Sequence, residues 1–349
     1  MRDVWEQLLQ WEAEKREFAL ARVVETWGSA PRGVGAAMLV DKDLQIAGSV
    51  SGGCIEGDVI EEAKAVLETG TPKQLTYGVD DETAFSVGLS CGGEVTVLLE
   101  RSPCLSPLPA TQSVWEAFRA RVNDNKPAVL LTRLSASTDG SHPLLVDDEG
   151  TVTGEWGART AAARGAALKA YEARQSAVAE LGGERVFIQV FPRRDQLIII
   201  GAGHLSIPLV QFVRQLEIDT VVIDPRRVFA TPERFPVQPS QLLARWPEEV
   251  LEDWDLNDET YAVVLTHDPK IDDQALHYFL RSPVAYIGAL GGRKSHGKRR
   301  ERLREAGFDD AAINRIKGPV GLDIGAETAA EIALSIAAEV VAVKRSRQG

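Results

Sequence analysis

The sequence predicts an α/β protein of two parts: an N-terminal α/β domain with an internal duplication, then a Rossmann-like domain with a doubly wound parallel sheet. Three observations carry that prediction. A short apolar run, Gln196–Ile200, leads into Gly201-Ala-Gly203-His-Leu-Ser206, a strand running into a glycine turn and a helix. Further short β-rich runs follow at Thr220–Ile223, Tyr261–Leu265 and Val284–Ile287, continuous as strands buried on both faces are. Upstream, Phe18–Val50 overlays Asp124–Trp156 at a shift of 106 positions without a gap.

The first domain spans 1–192, with repeat-like halves at about 18–100 and 124–191. The overlay sets Val23 and Thr26 on Val129 and Thr132, Leu39-Val-Asp41 on Leu145-Val-Asp147, and Gly48 on Gly154. Each copy reads as strand, loop and hairpin, with turns at Asp41-Lys-Asp and Asp147-Asp-Glu-Gly. A helix follows in each: Glu56–Glu68, and an alanine-rich stretch Ala158–Leu181. A glycine pair and a strand close both copies, as Gly92-Gly-Glu-Val and Gly182-Gly-Glu-Arg-Val.

The copies differ where chemistry would reside. The first carries Gly28-Ser-Ala-Pro-Arg32-Gly-Val-Gly, Ser51-Gly52-Gly53-Cys54-Ile-Glu-Gly and Leu89-Ser-Cys91-Gly92-Gly. The second has Leu134, Gly157 and Thr160 in place of Gly28, Ser51 and Cys54. Scaffold demands would act on both copies, so a site is expected in the first. Cys54 and Cys91 are either thiols facing a soft metal such as molybdenum or small residues buried in tight turns. Neither has a second ligand at zinc-finger spacing. Glu56, Asp58, Glu61 and Glu62 read as acids complementing a helix N-terminus. Cys104 reads as structural or as surface filler.

The second domain spans 193–349, beginning after the polar link Pro192-Arg-Arg-Asp. Its first helix carries Leu205, Leu209, Phe212, Val213 and Leu216 on one face, and Ala326–Val343 reads as a closing helix. In the glycine turn, Gly201 and Gly203 allow backbone to approach phosphate, with His204 beside them. Asp224 ends the second strand, where an acid can bond a ribose hydroxyl. His267, in Thr266-His-Asp-Pro, reads equally as a ligand contact or a turn residue. Gly288-Ala-Leu-Gly291-Gly-Arg293-Lys294 offers a second anion loop. From Arg293 to Arg304, seven basic residues stand against the single acid Glu301, a local anion site or a solvated helix face.

Composition bounds the function. The net charge of −12 argues against general nucleic-acid binding, and no apolar run approaches the ~20 residues of a membrane span. Three cysteines without a Cys-x-x-Cys pair and a start without a signal-like pattern predict a reducing, cytoplasmic setting.

The loops Thr26-Trp-Gly-Ser-Ala-Pro-Arg, Gly48-Ser-Val-Ser-Gly-Gly-Cys-Ile-Glu-Gly and Val87-Gly-Leu-Ser-Cys-Gly-Gly resemble the xanthine dehydrogenase accessory factor family, XdhC/CoxI. So do Tyr77-Gly-Val-Asp-Asp-Glu, Gly201-Ala-Gly-His, Phe229-Ala-Thr-Pro-Glu-Arg-Phe, Leu265-Thr-His-Asp-Pro, Tyr286-Ile-Gly-Ala-Leu-Gly and Gly318-Pro-Val-Gly-Leu-Asp-Ile-Gly. Gly292 stands where the family more often has serine. The resemblance implies a factor that need have no turnover chemistry of its own. It would bind molybdenum cofactor, as molybdopterin or its cytosine dinucleotide form, and protect it while a cysteine desulfurase installs sulfur. Delivery to an apo molybdenum hydroxylase would follow. Cys54 and Cys91 would face molybdenum, while Gly201, Gly203, Arg293 and Lys294 would hold the phosphate tail. The other candidate cofactor contacts are Arg32, Gly52, Gly53, Gly92, His204, Asp224, His267 and Gly291. An NAD(P)-dependent oxidoreductase is the competing reading and a pure adaptor a third. A homodimer is the expected solution state.

Overall fold

The computed structural model describes residues 1–78, 93–134 and 142–347. The candidates Cys91 and Gly92 lie outside the described residues. The chain divides into two compact units, Met1–Arg193 and Arg194–Gly349. No helix among the described residues is long and apolar enough to cross a membrane.

The first unit holds two five-stranded sheets, antiparallel throughout, that repeat one strand order. In the first sheet β1 (Phe18–Trp27) lies between β2 (Ala37–Asp41) and β5 (Glu94–Arg101), with β3 (Ile46–Gly48) and β4 (Lys73–Tyr77) at the edges. In the second, β6 (Ala128–Arg133) lies between β7 (Leu144–Val146) and β10 (Glu184–Phe191), with β8 (Val152–Thr153) and β9 (Ala177–Leu181) outermost. Side-chain alternation sets the layers. Ala19, Ala21 and Val23 face α2 (Glu56–Thr69), while Phe18 and Leu20 join Leu130 and Phe191 in a core between the sheets. Val129, Leu131 and Ile188 cover the second repeat's helix on the outer side. The order is helix, sheet, sheet, helix. Two further helices, α1 (Trp5–Ala13) and α3 (Pro109–Asn123), bring Trp5, Trp11, Trp115 and Phe118 into the inter-sheet core.

Two expectations need correction. The second repeat's helix, α4, covers Thr160–Glu172 rather than 158–181. Arg174 takes a positive φ of 51°, and Ala177–Leu181 then pairs antiparallel with β10 as an edge strand. Intrinsic helix propensity, even alanine's, is a weak preference, and the ladder overrides it. The gap-free overlay also holds only for the hairpins: Val40 pairs with Ile46 and Val146 with Val152. Leu20 pairs with Leu39 across nineteen positions, but Leu130 pairs with Leu145 across fifteen. Val23 and Thr26 are therefore not the partners of Val129 and Thr132. The first copy is longer by four residues between its first two strands, in the segment that contains the Gly28 loop.

The second unit is one parallel six-stranded sheet in the order β13-β12-β11-β14-β15-β16. The strands are β11 (Gln196–Ile200), β12 (Asp219–Ile223), β13 (Gln241–Leu243), β14 (Thr260–Val264), β15 (Tyr286–Ala289) and β16 (Ile316–Lys317). This is the dinucleotide-fold order, with its switch point between β11 and β14. One face buries Leu197, Ile199 and Val263 under α5 (Ser206–Gln215) and the closing helix Ala329–Ser346. The other buries Ile198, Ile200 and Val264 under α6 (Pro247–Leu251), α7 (Pro269–Arg281) and α8 (Arg293–Glu305). Burial on both faces is why these strands read as unbroken apolar runs.

Candidate functional site

In the first unit the site is built around one carboxylate. Glu56, the first residue of α2, accepts on Oε1 from Ser49 Oγ (2.5 Å), Val50 N (3.2 Å) and Ser51 N (2.9 Å). On Oε2 it accepts from Ser51 Oγ (2.6 Å) and Gly53 N (2.9 Å). Partial burial alone would raise its pKa, but the hydroxyl and amide donors prevail and hold it at about 2. Ser51 Oγ in turn accepts from Cys54 N and Ile55 N, and Ser49 Oγ from Gly52 N. Every amide from Val50 to Ile55 is thus bonded within the loop. Gly52 and Gly53, with φ of 82° and 119°, take conformations that a side chain would strain.

Cys54 is a free cysteine, half-buried, and packs with Ala30 and Ala36 against the α2 side of the sheet. The Gly28 loop is its neighbour, since a Cβ on Gly52 would come within 3.8 Å of Pro31. Gly93 is held close to the same loop, where a Cβ would stand 2.8 Å from the Trp27 carbonyl oxygen. Trp27 itself is 71% exposed, unusual for an indole at the end of a buried strand. Arg32 ion-pairs with Asp3. Of the other helix acids, Asp58 accepts from Tyr77 Oη at 2.6 Å, and Glu61 and Glu62 pair with Lys64 and Lys73. Cys104 lies apart, its thiol pushed up to about 11 by burial.

In the second unit the candidate residues follow the carboxyl ends of the strands. Gly201 has a φ of 107°, and a Cβ there would lie 2.7 Å from Thr266 Cγ2, so only glycine fits. Ser206, where the fingerprint has its third glycine, is buried and donates through Oγ to Gly201 O at 2.5 Å. Gly203 has open space at its Cα, and His204 is exposed.

Asp224 is fully buried and its acceptor positions are filled. Oδ2 accepts from Ala202 N and Arg226 Nη2 at 2.8 Å, and Oδ1 from Arg226 N and Nε at 2.9 Å. Burial would raise its pKa, yet the guanidinium holds it below the usual range. A carboxylate so occupied has no lone pair left for a ribose diol. Arg226 stacks on Phe229, and Arg234 donates to the carbonyls of Ala202 and Phe229.

His267 is exposed and has a φ of 63°, a conformation that costs a non-glycine residue about 1–2 kcal/mol. Thr266 Oγ1 donates to Asp272 at 2.6 Å, and the Asp268 side chain caps α7. The turn is fixed from both sides. The basic cluster splits in two. Arg299 lies 3.8 Å from the buried Asp272, Arg302 bonds Asp273, and Arg300 and Arg304 reach Asp310. Among the described residues Arg293, Lys294 and Lys298, at the start of the helix, enter no ion pair. Gly292 gives α8 no side-chain cap, and Gly291 (φ 125°) turns the chain into it. The first-turn amides are therefore open to an anion.

The loops thus hold Gly52, Gly53 and Cys54 together in one unit, and Gly201, Gly203, His204, His267, Gly291, Arg293 and Lys294 along one strand-end edge of the other. Three residues that stand out in the structure were not singled out from sequence: Glu56, which gathers its loop, the exposed Trp27, and Arg226, which pairs with Asp224. Ser-x-Ser followed by glutamate at a helix start was the available signal for Glu56, and an arginine two positions after Asp224 that for Arg226.

Residues 11–78 match the family described as XdhC and CoxI, and residues 197–340 match the XdhC Rossmann domain. A relative from Bacillus subtilis (strain 168), described as a probable xanthine dehydrogenase subunit, is 27% identical over 337 residues, 95% of this chain and 94% of its own. The molybdenum cofactor insertion chaperone PaoD of Escherichia coli (strain K12) is 26% identical over 325 residues, 93% and 83% of the two chains. A crystal structure described as a xanthine dehydrogenase from Bacillus halodurans aligns with a TM-score of 0.79 at 26% identity, covering 98% of this chain and 96% of that one. With both units matched in order, the chain belongs to the XdhC and CoxI family.

Proposed function

We propose that this chain is a maturation factor that binds molybdenum cofactor and delivers it to a xanthine dehydrogenase-type hydroxylase. The observation that carries the reading is the Cys54 loop. A half-buried cysteine stands on a loop whose own amides are all satisfied by Glu56, Ser49 and Ser51, and the second repeat has no counterpart. A soft thiolate is a suitable ligand for the metal end of the cargo, and the exposed Trp27 ring offers a stacking surface for a planar pterin. In the second unit, the Gly201 turn and the uncapped start of α8, with Arg293 and Lys294, suit its phosphate. Family relatives described as a cofactor insertion chaperone and as part of a xanthine dehydrogenase support the role. Protection during sulfuration, with a cysteine desulfurase as second partner in the cytoplasm and a homodimer as the working form, belongs to the same proposal.

The test is co-expression with an intact pterin pathway, then fluorescent pterin and molybdenum analysis of the purified protein. Wild type is expected to retain both, and Cys54→Ser to retain at least tenfold less molybdenum with an unchanged circular dichroism spectrum. Retention equal to wild type would remove Cys54 from the site. The competing oxidoreductase reading loses its usual ribose contact to the Asp224–Arg226 pair. Tight NAD binding with hydride transfer would restore it.

A further inference from the structure

Within the first unit, away from the Cys54 loop, a cavity of about 440 Å³ opens between the two sheets. Its wall comes from β1, β5 and β6, the link from α2 to β4, and the connection between the repeats that leads into α3. That volume falls in the range of about 300–1,000 Å³ usual for small-molecule sites.

The wall has a charged floor. Arg22 is 1% exposed, an expensive place for a guanidinium. Its Nη2 donates to Glu100 Oε1 (2.6 Å) and Thr132 Oγ1 (3.1 Å), and its Nη1 to Gln189 Oε1 (3.1 Å), but its Nε has no partner. Arg133, Lys73 and Arg101 also line the space, so the lining carries four cations against one carboxylate, Glu100, in a chain of net charge −12. The acids that pair with those three outer cations, Glu184, Glu62 and Glu17, do not line it. Much of the remaining wall is leucine, proline and Trp115.

We propose that this inter-sheet cavity binds a small organic monoanion, a carboxylate on a compact apolar or aromatic body, anchored by Arg22, Thr132 and Arg133. A buried arginine suits a planar carboxylate. Glu100, bonded to the same guanidinium, disfavours a second negative charge, and the leucine and proline wall suits the body. A scaffold that needed only to join two sheets would be as stable with an apolar residue at position 22.

The test uses the full chain and 4-fluorobenzoate as probe, followed by its fluorine NMR signal and by calorimetry, with inorganic phosphate alongside. Saturable binding of the aryl carboxylate is expected, with phosphate at least tenfold weaker. Arg133→Gln and Leu108→Trp, the second chosen to fill the space, are expected to weaken binding tenfold or more while the circular dichroism spectrum stays that of the folded protein. Cys54→Ser is expected to bind the probe as wild type does, which separates this site from the cofactor proposal. Absence of saturable binding, equal binding in both cavity variants, or phosphate binding as tightly as the probe would overturn it. Arg22→Met, which risks unfolding by leaving Glu100 unpaired, is therefore not the deciding variant.

Discussion

At the scale of single residues, Glu56 shows how an internal anion can take a ligand's place. Five donors converge on it, so the loop holds its conformation without help from cargo. Glu56→Gln sets an amide NH₂ against those donors and leaves at least one unmet, which costs roughly 1–3 kcal/mol. The pH dependence follows from the depressed pKa of about 2 against an ordinary 4.5. The carboxylate's contribution is complete above about pH 4.5 and is lost as pH falls toward 2. Urea melts at pH 7 should show the full gap between wild type and variant, and melts at pH 2.5 a smaller one. A gap independent of pH would assign the loss to packing instead. Sequence alone marked Glu56 as one more helix-start acid, because a carboxylate that completes a dipole and one that gathers a loop are the same letter at the same place. Asp224 misled in the opposite sense: its position fits a ribose contact, and only the conformation of Arg226 shows that it is occupied.

At the scale of elements, the basic stretch of α8 divides into two groups of cations. Its later arginines bind the helix to Asp273 and Asp310, while Arg293 and Lys294 stand exposed at an uncapped start. Charge counting could not separate the two groups, because the acids that pair with the later arginines come from α7 and from beyond the helix. Arg293→Glu should weaken phosphate-analogue binding at least tenfold at low salt, with the difference shrinking as ionic strength rises. Arg302→Gln should leave binding intact and lower stability by about 0.5–1.5 kcal/mol through loss of its contacts with Asp273. Calorimetry and thermal melts on the same two proteins check both halves, and a binding loss in Arg302→Gln would show that the whole helix face contacts ligand. Strand register was hidden for a related reason. Side chains alternate with period two, so a four-residue offset between copies keeps every face and leaves the apolar pattern unchanged.

For the whole molecule, fold class was the most legible property, since it rests on long patterns: unbroken strands for a sheet covered on both faces, and a repeated strand, hairpin and helix for the first unit. Each unit carries a complete core. Leu20, Leu39, Trp115 and Phe118 fill the first, and Ile198, Val264, Leu276 and Phe279 the second. A domain with its own closed core folds independently, so residues 194–349 produced alone should give one cooperative unfolding transition. That fragment should bind a phosphate analogue within about threefold of the full chain, because Gly201, Gly291 and the α8 amides all belong to it. The N-terminal fragment should likewise fold, and in it Cys54→Ser should change the accessible thiol count by one while Thr160→Cys, in the second repeat, adds a thiol without adding metal retention. Measuring retention in that last variant decides whether the duplication is scaffold and the first-copy loop the site. If a cysteine at position 160 recovers molybdenum lost by Cys54→Ser, the two copies are interchangeable, and the loop built around Glu56 is not what selects the first.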